Sequence, residues 1–75
     1  MNILKIKLEW DEEASVWVAT SDDVKGLVLE DESFDELVRE VQLAVPTLLA
    51  LNSTINSDII LSFYAYRQER LSQSG

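Results

Sequence analysis

Two residue types are missing altogether. The chain has no cysteine and no histidine, so disulfide staples and the usual zinc ligands are excluded. A histidine-assisted nucleophile is excluded with them, because Ser15, Ser33, Ser53, Ser57 and Ser62 have no imidazole base to activate them. Glycine occurs only at Gly26 and Gly75, which rules out a glycine-rich phosphate cradle. Proline occurs once, at Pro46. No apolar run approaches the ~20 residues needed to span a bilayer. The N-terminal MNILKIKLEW alternates instead of forming the continuous apolar core of a signal peptide. A soluble, cytoplasmic protein is expected, with no cofactor, no metal ion and no membrane contact.

Positive charge is also scarce. Six Lys plus Arg stand against 14 Asp plus Glu, a net charge of −8. A field of that sign repels phosphate backbones, so direct DNA binding is not expected, and it favours a basic partner. At 75 residues the chain is a single domain with a small core. Small domains without staples often gain stability by self-association, so a homo-oligomer is expected.

What is present reads in two periods. Asn2–Trp10 alternates, with Leu4, Ile6, Leu8 and Trp10 on one face, and predicts a half-buried strand. Asp11–Ala14 has hairpin length without an Asn-Gly signal. Ser15–Thr20 predicts a second, antiparallel strand, with Val16 and Val18 pointing one way and Trp17 and Ala19 the other. Ser21–Lys25 reads as a polar turn ended by Gly26, and Leu27–Glu30 as a third strand. At Ser33 the period becomes 3.6. Ser33 and Glu36 form an S-x-x-E capping box, and Phe34, Leu37, Val38, Val41, Val45, Leu48 and Leu49 fall on one helix face. Asp35 and Arg39 are spaced for an i,i+4 pair. Pro46 interrupts this helix chemically, but the apolar phase runs through it, which predicts a kinked helix to about Leu51 with Asn52 as its stop. A polar linker follows over Asn52–Ser57, and Asp58–Arg67 predicts a fourth strand, apolar on both faces.

A right-handed crossover through the helix places the fourth strand parallel to the first. The expected fold is α+β: a three-stranded antiparallel meander, one helix crossover and a fourth strand, β-β-β-α-β in the order 3-2-1-4. Residues 1–67 form the domain, and 68–75 a polar tail. One helix covers one face of such a sheet, so the doubly apolar strands suggest an oligomer interface, assigned to Trp17, Ile60, Tyr64 and Tyr66.

Carboxylates are the only abundant functional groups. They cluster at the first hairpin (Glu9, Asp11, Glu12, Glu13) and around the helix entrance. A metal-dependent nuclease needs carboxylates converging on a hard cation, and the spacing shows no convergence, so no enzymatic activity is expected. Asp22, Asp23, Glu30, Asp31 and Glu32 are instead candidates for docking a basic protein, beside a plainer role in solvation and capping. Trp17, Tyr64 and Tyr66 lack the basic groove that accompanies stacking platforms for single-stranded nucleic acid.

The run from Trp17 to Leu37, with Trp17, Ala19, Gly26, Leu27, Ser33 and Glu36 in place, resembles the N-terminal domain of HicB-type antitoxins, over about residues 3–51. Small stand-alone HicB-like proteins of unassigned function are the nearest likeness. The resemblance implies a reduced RNase H-like fold and a role in covering a small basic RNase toxin of the HicA type. The helix-turn-helix or ribbon-helix-helix segment of full HicB proteins is not found after the last strand, so operator binding is not carried over. Asp23-Val24-Lys25 replaces the family's proline-containing turn. The reading is a non-catalytic, HicB-like protein-binding domain of a toxin–antitoxin system. Its alternative is an orphan homo-oligomeric structural or regulatory module.

Overall fold

A computed structural model describes residues 2–52 and 58–73. The elements are β1 (Asn2–Asp11), β2 (Val16–Thr20), β3 (Val28–Asp31), α1 (Phe34–Asn52) and β4 (Ile59–Tyr66). One mixed sheet carries all four strands in the order β3-β2-β1-β4. β1 pairs antiparallel with β2 and parallel with β4, and β2 pairs antiparallel with β3. The expected α+β topology is the observed one. Of the expected linker, residues 53–57 lie outside the described residues, as do the last two of the tail.

Alternation decides which side chains face the helix. Leu4, Ile6 and Leu8 are buried on one side of β1, while Ile3, Lys5, Lys7 and Glu9 stand exposed on the other. The register carries that division across the sheet: Leu8 lies opposite Ala19, Trp10 opposite Trp17, Ile6 beside Phe63 and Leu4 beside Leu61. Leu37, Val41, Val45 and Leu49 of α1 close this core. Each buried aliphatic side chain of this kind contributes about 1.5–3 kcal/mol through removal from water. The helix backbone approaches β2 and β3 but not β1 or β4. β4 is therefore covered only thinly even on the helix side.

Local chemistry sets the junctions. The hairpin after β1 closes over residues 12–15, where Asp11 accepts the amide of Ala14 at 3.2 Å and Ser15 adopts φ 56°. Such an Asx turn with a left-handed last residue replaces the absent Asn-Gly signal. At the next turn the amide of Leu27 donates to the carbonyl of Val24 at 3.2 Å, with Gly26 at φ +87°. That geometry belongs to glycine for conformational reasons. Space is not the limit, since an added Cβ would meet only Leu48 Cδ2 at 3.6 Å.

Two expectations need correction. The segment Ser21–Lys25 is not wholly a polar turn, because Val24 is fully buried in the core. Arg39 pairs with Glu36 at 3.5 Å rather than with Asp35, a spacing of i,i+3 that the exposed helix side also permits. Pro46 sits inside one continuous helix. It lies on the exposed side, and the apolar stripe before and after it stays in phase.

Candidate functional site

Folding sorts the charge. The β1–β2 hairpin, the end of β3, the start of α1 and the end of β4 all lie at one end of the sheet. Of the fourteen carboxylates, all except Asp22, Asp23 and Asp58 fall on this side of the row through Lys7, with three of the six cations, Arg39, Arg67 and Arg70. The whole net charge of −8 thus resides at the hairpin end, and the opposite end is balanced by Lys5, Lys7 and Lys25. Low-complexity runs are not needed for such an effect. The β1–β2 hairpin, the end of β3 and the start of α1 each deliver several acids to the same place, and the residues after β4 add Glu69 with Arg67 and Arg70.

The five candidate docking acids do not form one surface. Asp22 and Asp23 follow β2, beside the start of β3, whereas Glu30, Asp31 and Glu32 lie at its far end. Asp23 is a structural clasp: its carboxylate accepts the amide of Lys5 at 2.8 Å. The Ser21 hydroxyl donates to the Lys5 carbonyl at 2.6 Å and accepts the amides of Asp23 and Val24. These bonds satisfy the backbone of β1 where β2 has already ended. Glu30 stands exposed on the open sheet face, and Glu32 is exposed at the helix entrance. With the hairpin acids Glu12 and Glu13 they make the acidic end accessible.

Asp31 belongs to the fold as much as to that surface. Ser33 caps α1, its hydroxyl accepting the amide of Glu36 at 3.2 Å, and the carbonyl of Ser33 accepts the amide of Leu37 at 3.0 Å. The reciprocal half of the capping box is filled by Asp31, which accepts the amide of Ser33 at 2.8 Å. A cap of this kind is worth about 1 kcal/mol. Glu40, one turn further on, shares a hydrogen bond with Asp31. That bond, then the amide of Ser33, holds the Asp31 carboxyl below its ordinary range. The same bond, with desolvation and the charges of Asp31 and Glu36, pushes Glu40 up.

Beside the acids lies an aromatic cluster. Trp10 and Trp17 meet edge to face at 5.4 Å, and Trp17 and Phe34 at 5.0 Å. The Arg67 guanidinium lies over both indoles, 4.2 Å from the centre of Trp10 and 5.8 Å from that of Trp17, while holding Glu69 at 3.1 Å. Trp17 is therefore on the helix side of the sheet and does not share a face with Ile60, Tyr64 and Tyr66, contrary to its assignment to one interface with them. Alternation places Tyr64 and Tyr66 beside Lys7 and Glu9 on the open face, and Ile60 beside Ile3. Tyr64, Tyr66 and Ile60 are 54%, 58% and 42% exposed, respectively.

Sequence reasoning missed the Arg67 clasp, although the parallel register contains the signal: one residue past the Tyr66–Glu9 pair, Arg67 must arrive beside Trp10. Among the described residues no group of three or more acids is placed to hold a metal ion. No described helix is long and apolar enough to cross a membrane.

Comparison with known proteins gives a fold relative and no activity. A family model described as a domain of unknown function, DUF1902, matches residues 3–74. The crystal structure of a hypothetical protein from the extremely thermophilic bacterium Thermus thermophilus is similar, with a TM-score of 0.81 and 38% identity. The match covers 93% of this chain and 100% of that one. No curated protein matches.

Proposed function

The chain belongs to the DUF1902 family, and on that premise we propose that it is a non-catalytic binding domain that docks a basic protein at its hairpin end. The carrying observation is the segregation of charge: the net −8 is gathered at one end, chiefly by the β1–β2 hairpin, the end of β3 and the start of α1. Opposite charge steers a basic partner and sets its orientation more than it sets final affinity. The partner we assign is a small basic RNase toxin, covered as HicB-like antitoxins cover theirs. Glu12, Glu13, Glu30 and Glu32 supply the accessible surface, and Asp31 supports it from the helix entrance. Asp22 and Asp23 form a separate, minor acidic step.

The experiment is growth rescue. Co-expression with a HicA-type toxin is expected to restore growth, and the triple variant Glu12→Lys, Glu13→Lys, Glu32→Lys is expected to lose that rescue while keeping the far-ultraviolet spectrum of the fold. Undiminished rescue by the triple variant would remove the acidic end from this reading. No rescue and no salt-sensitive binding by the unaltered chain would leave the second reading, an orphan homo-oligomeric module. That reading is favoured by the exposed Ile60, Tyr64 and Tyr66, and requires a molar mass at least twice 8.5 kDa in light scattering.

A further inference from the structure

We propose that β4 is the self-association site and that it pairs antiparallel with β4 of a second copy, joining two sheets into one of order 3-2-1-4-4-1-2-3. The inference rests on the self-association reading above and specifies its geometry. Among the described residues β4 has a ladder partner on one side only. Its eight residues, IILSFYAY, include no charge, proline or glycine. Soluble proteins normally blunt a free edge with short length, charge, proline or a bulge, and an edge with none of these is a template for another strand. Because α1 lies over β2 and β3, Leu61 and Phe63 on the helix side are only half-buried, and a neighbouring strand would cover them.

Charge selects the second copy and the direction. The open sheet face carries Lys5, Lys7, Glu9 and Glu30 among its apolar residues, whereas the edge is uncharged from Ile59 to Tyr66. Face-to-face stacking must therefore desolvate charges that edge pairing leaves in water. An antiparallel arrangement also sets the acidic end of each copy beside the balanced end of the other.

Parity narrows the register. A two-fold axis normal to the sheet keeps both helices on one side, so opposed residues must share a face. The axis then passes through Ser62 or Phe63.

The absence of cysteine makes the test direct. Opposed residues in such a ladder have Cα atoms about 4.5–5.5 Å apart, within disulfide reach. Stacked sheets are about 10 Å apart and out of reach. In the double variant Ser62→Cys, Tyr64→Cys, residue 62 opposes itself if the axis is at Ser62, and residue 64 opposes residue 62 if it is at Phe63. Mild oxidation is expected to convert most of the chain to a covalent dimer under denaturing electrophoresis. Lys7→Cys, at least about 14 Å from its copy across three strand spacings, is expected to remain monomeric in the same gel. A light-scattering dimer without the 62/64 disulfide, or equal linking through Lys7→Cys, would overturn edge pairing while leaving self-association intact. A monomeric unaltered chain, with no linking in the double variant, would overturn both.

Discussion

The two edges of the sheet are built on opposite rules. β3 is four residues long and carries Glu30 and Asp31. A tight turn at Gly26 precedes it, the capped start of α1 follows, and the helix backbone packs close to it. β4 is twice as long and uncharged, and α1 does not approach it. On the β3 side two acids are spent within the chain, Asp31 on Ser33 and Glu40 and Asp23 on Lys5, while Glu30 stays exposed. On the β4 side the apolar groups are left facing out, with Ile59, Ile60, Tyr64 and Tyr66 all exposed. One edge is followed at once by the helix of its own chain, while the other, among the described residues, has a ladder neighbour on one side only.

The contrast is sharpest under equivalent truncations. Leu27→Ala, beside the β3 edge where the side chain is 3% exposed, should cost about 2–4 kcal/mol in urea unfolding through lost burial and the cavity left behind. A smaller effect is expected at the adjoining turn. Gly26→Ala should cost about 1–2 kcal/mol for a side chain held at positive φ, since the space itself is sufficient. Ile60→Ala, on β4, should change the stability of the dilute monomer by no more than ~0.5–1 kcal/mol, and should instead weaken self-association. Equal losses at Leu27 and Ile60 would dissolve the distinction between edges.

The smallest effect is electrostatic and depends on pH. The lowered Asp31 carboxyl stabilises the fold above its unfolded value, and that contribution is lost as pH falls through the lowered one. The raised Glu40 carboxyl does the reverse, contributing while protonated and fading as pH rises through its raised value. The shared proton therefore favours the fold most in the mildly acidic window between the two. Glu40→Gln keeps a donor to Asp31 and removes the titration. Melting temperatures of this variant should be flatter than those of the unaltered chain between mild acid and neutrality, and higher at neutrality. A parallel profile would mean that the pair contributes nothing to stability.

Much of the fold is legible in the sequence because it rests on short-range periodicity. Alternation in β1 and the 3.6 period of α1 set the faces, and the crossover rule sets the order 3-2-1-4. Pro46 does not divide the helix because the buried stripe continues past it from Val45 to Leu48 and Leu49. What is not legible depends on the third dimension. Val24 sits in a segment that is polar on average, and only the clasp of Ser21 and Asp23 on Lys5 turns it inward. Trp17 shares the alternation of Ala19, but which face of β2 meets the helix follows only from its register with β1. The acidic end is least legible of all, because its members are remote along the chain, and proximity in sequence groups Asp22 and Asp23 with the wrong acids.

The two tryptophans have an optical consequence. Both indoles of the chain stand 5.4 Å apart beneath one guanidinium, at the end that carries the excess carboxylates, while β4 carries both tyrosines and no tryptophan. Excitation at long ultraviolet wavelengths therefore reaches only the two indoles at the hairpin end, so that emission there is sensitive to what lies beside them, including the seating of Arg67 after β4. The strand edge at β4 is dark to that signal and speaks through tyrosine alone. Long-wavelength excitation thus singles out the indole cluster from the strand edge.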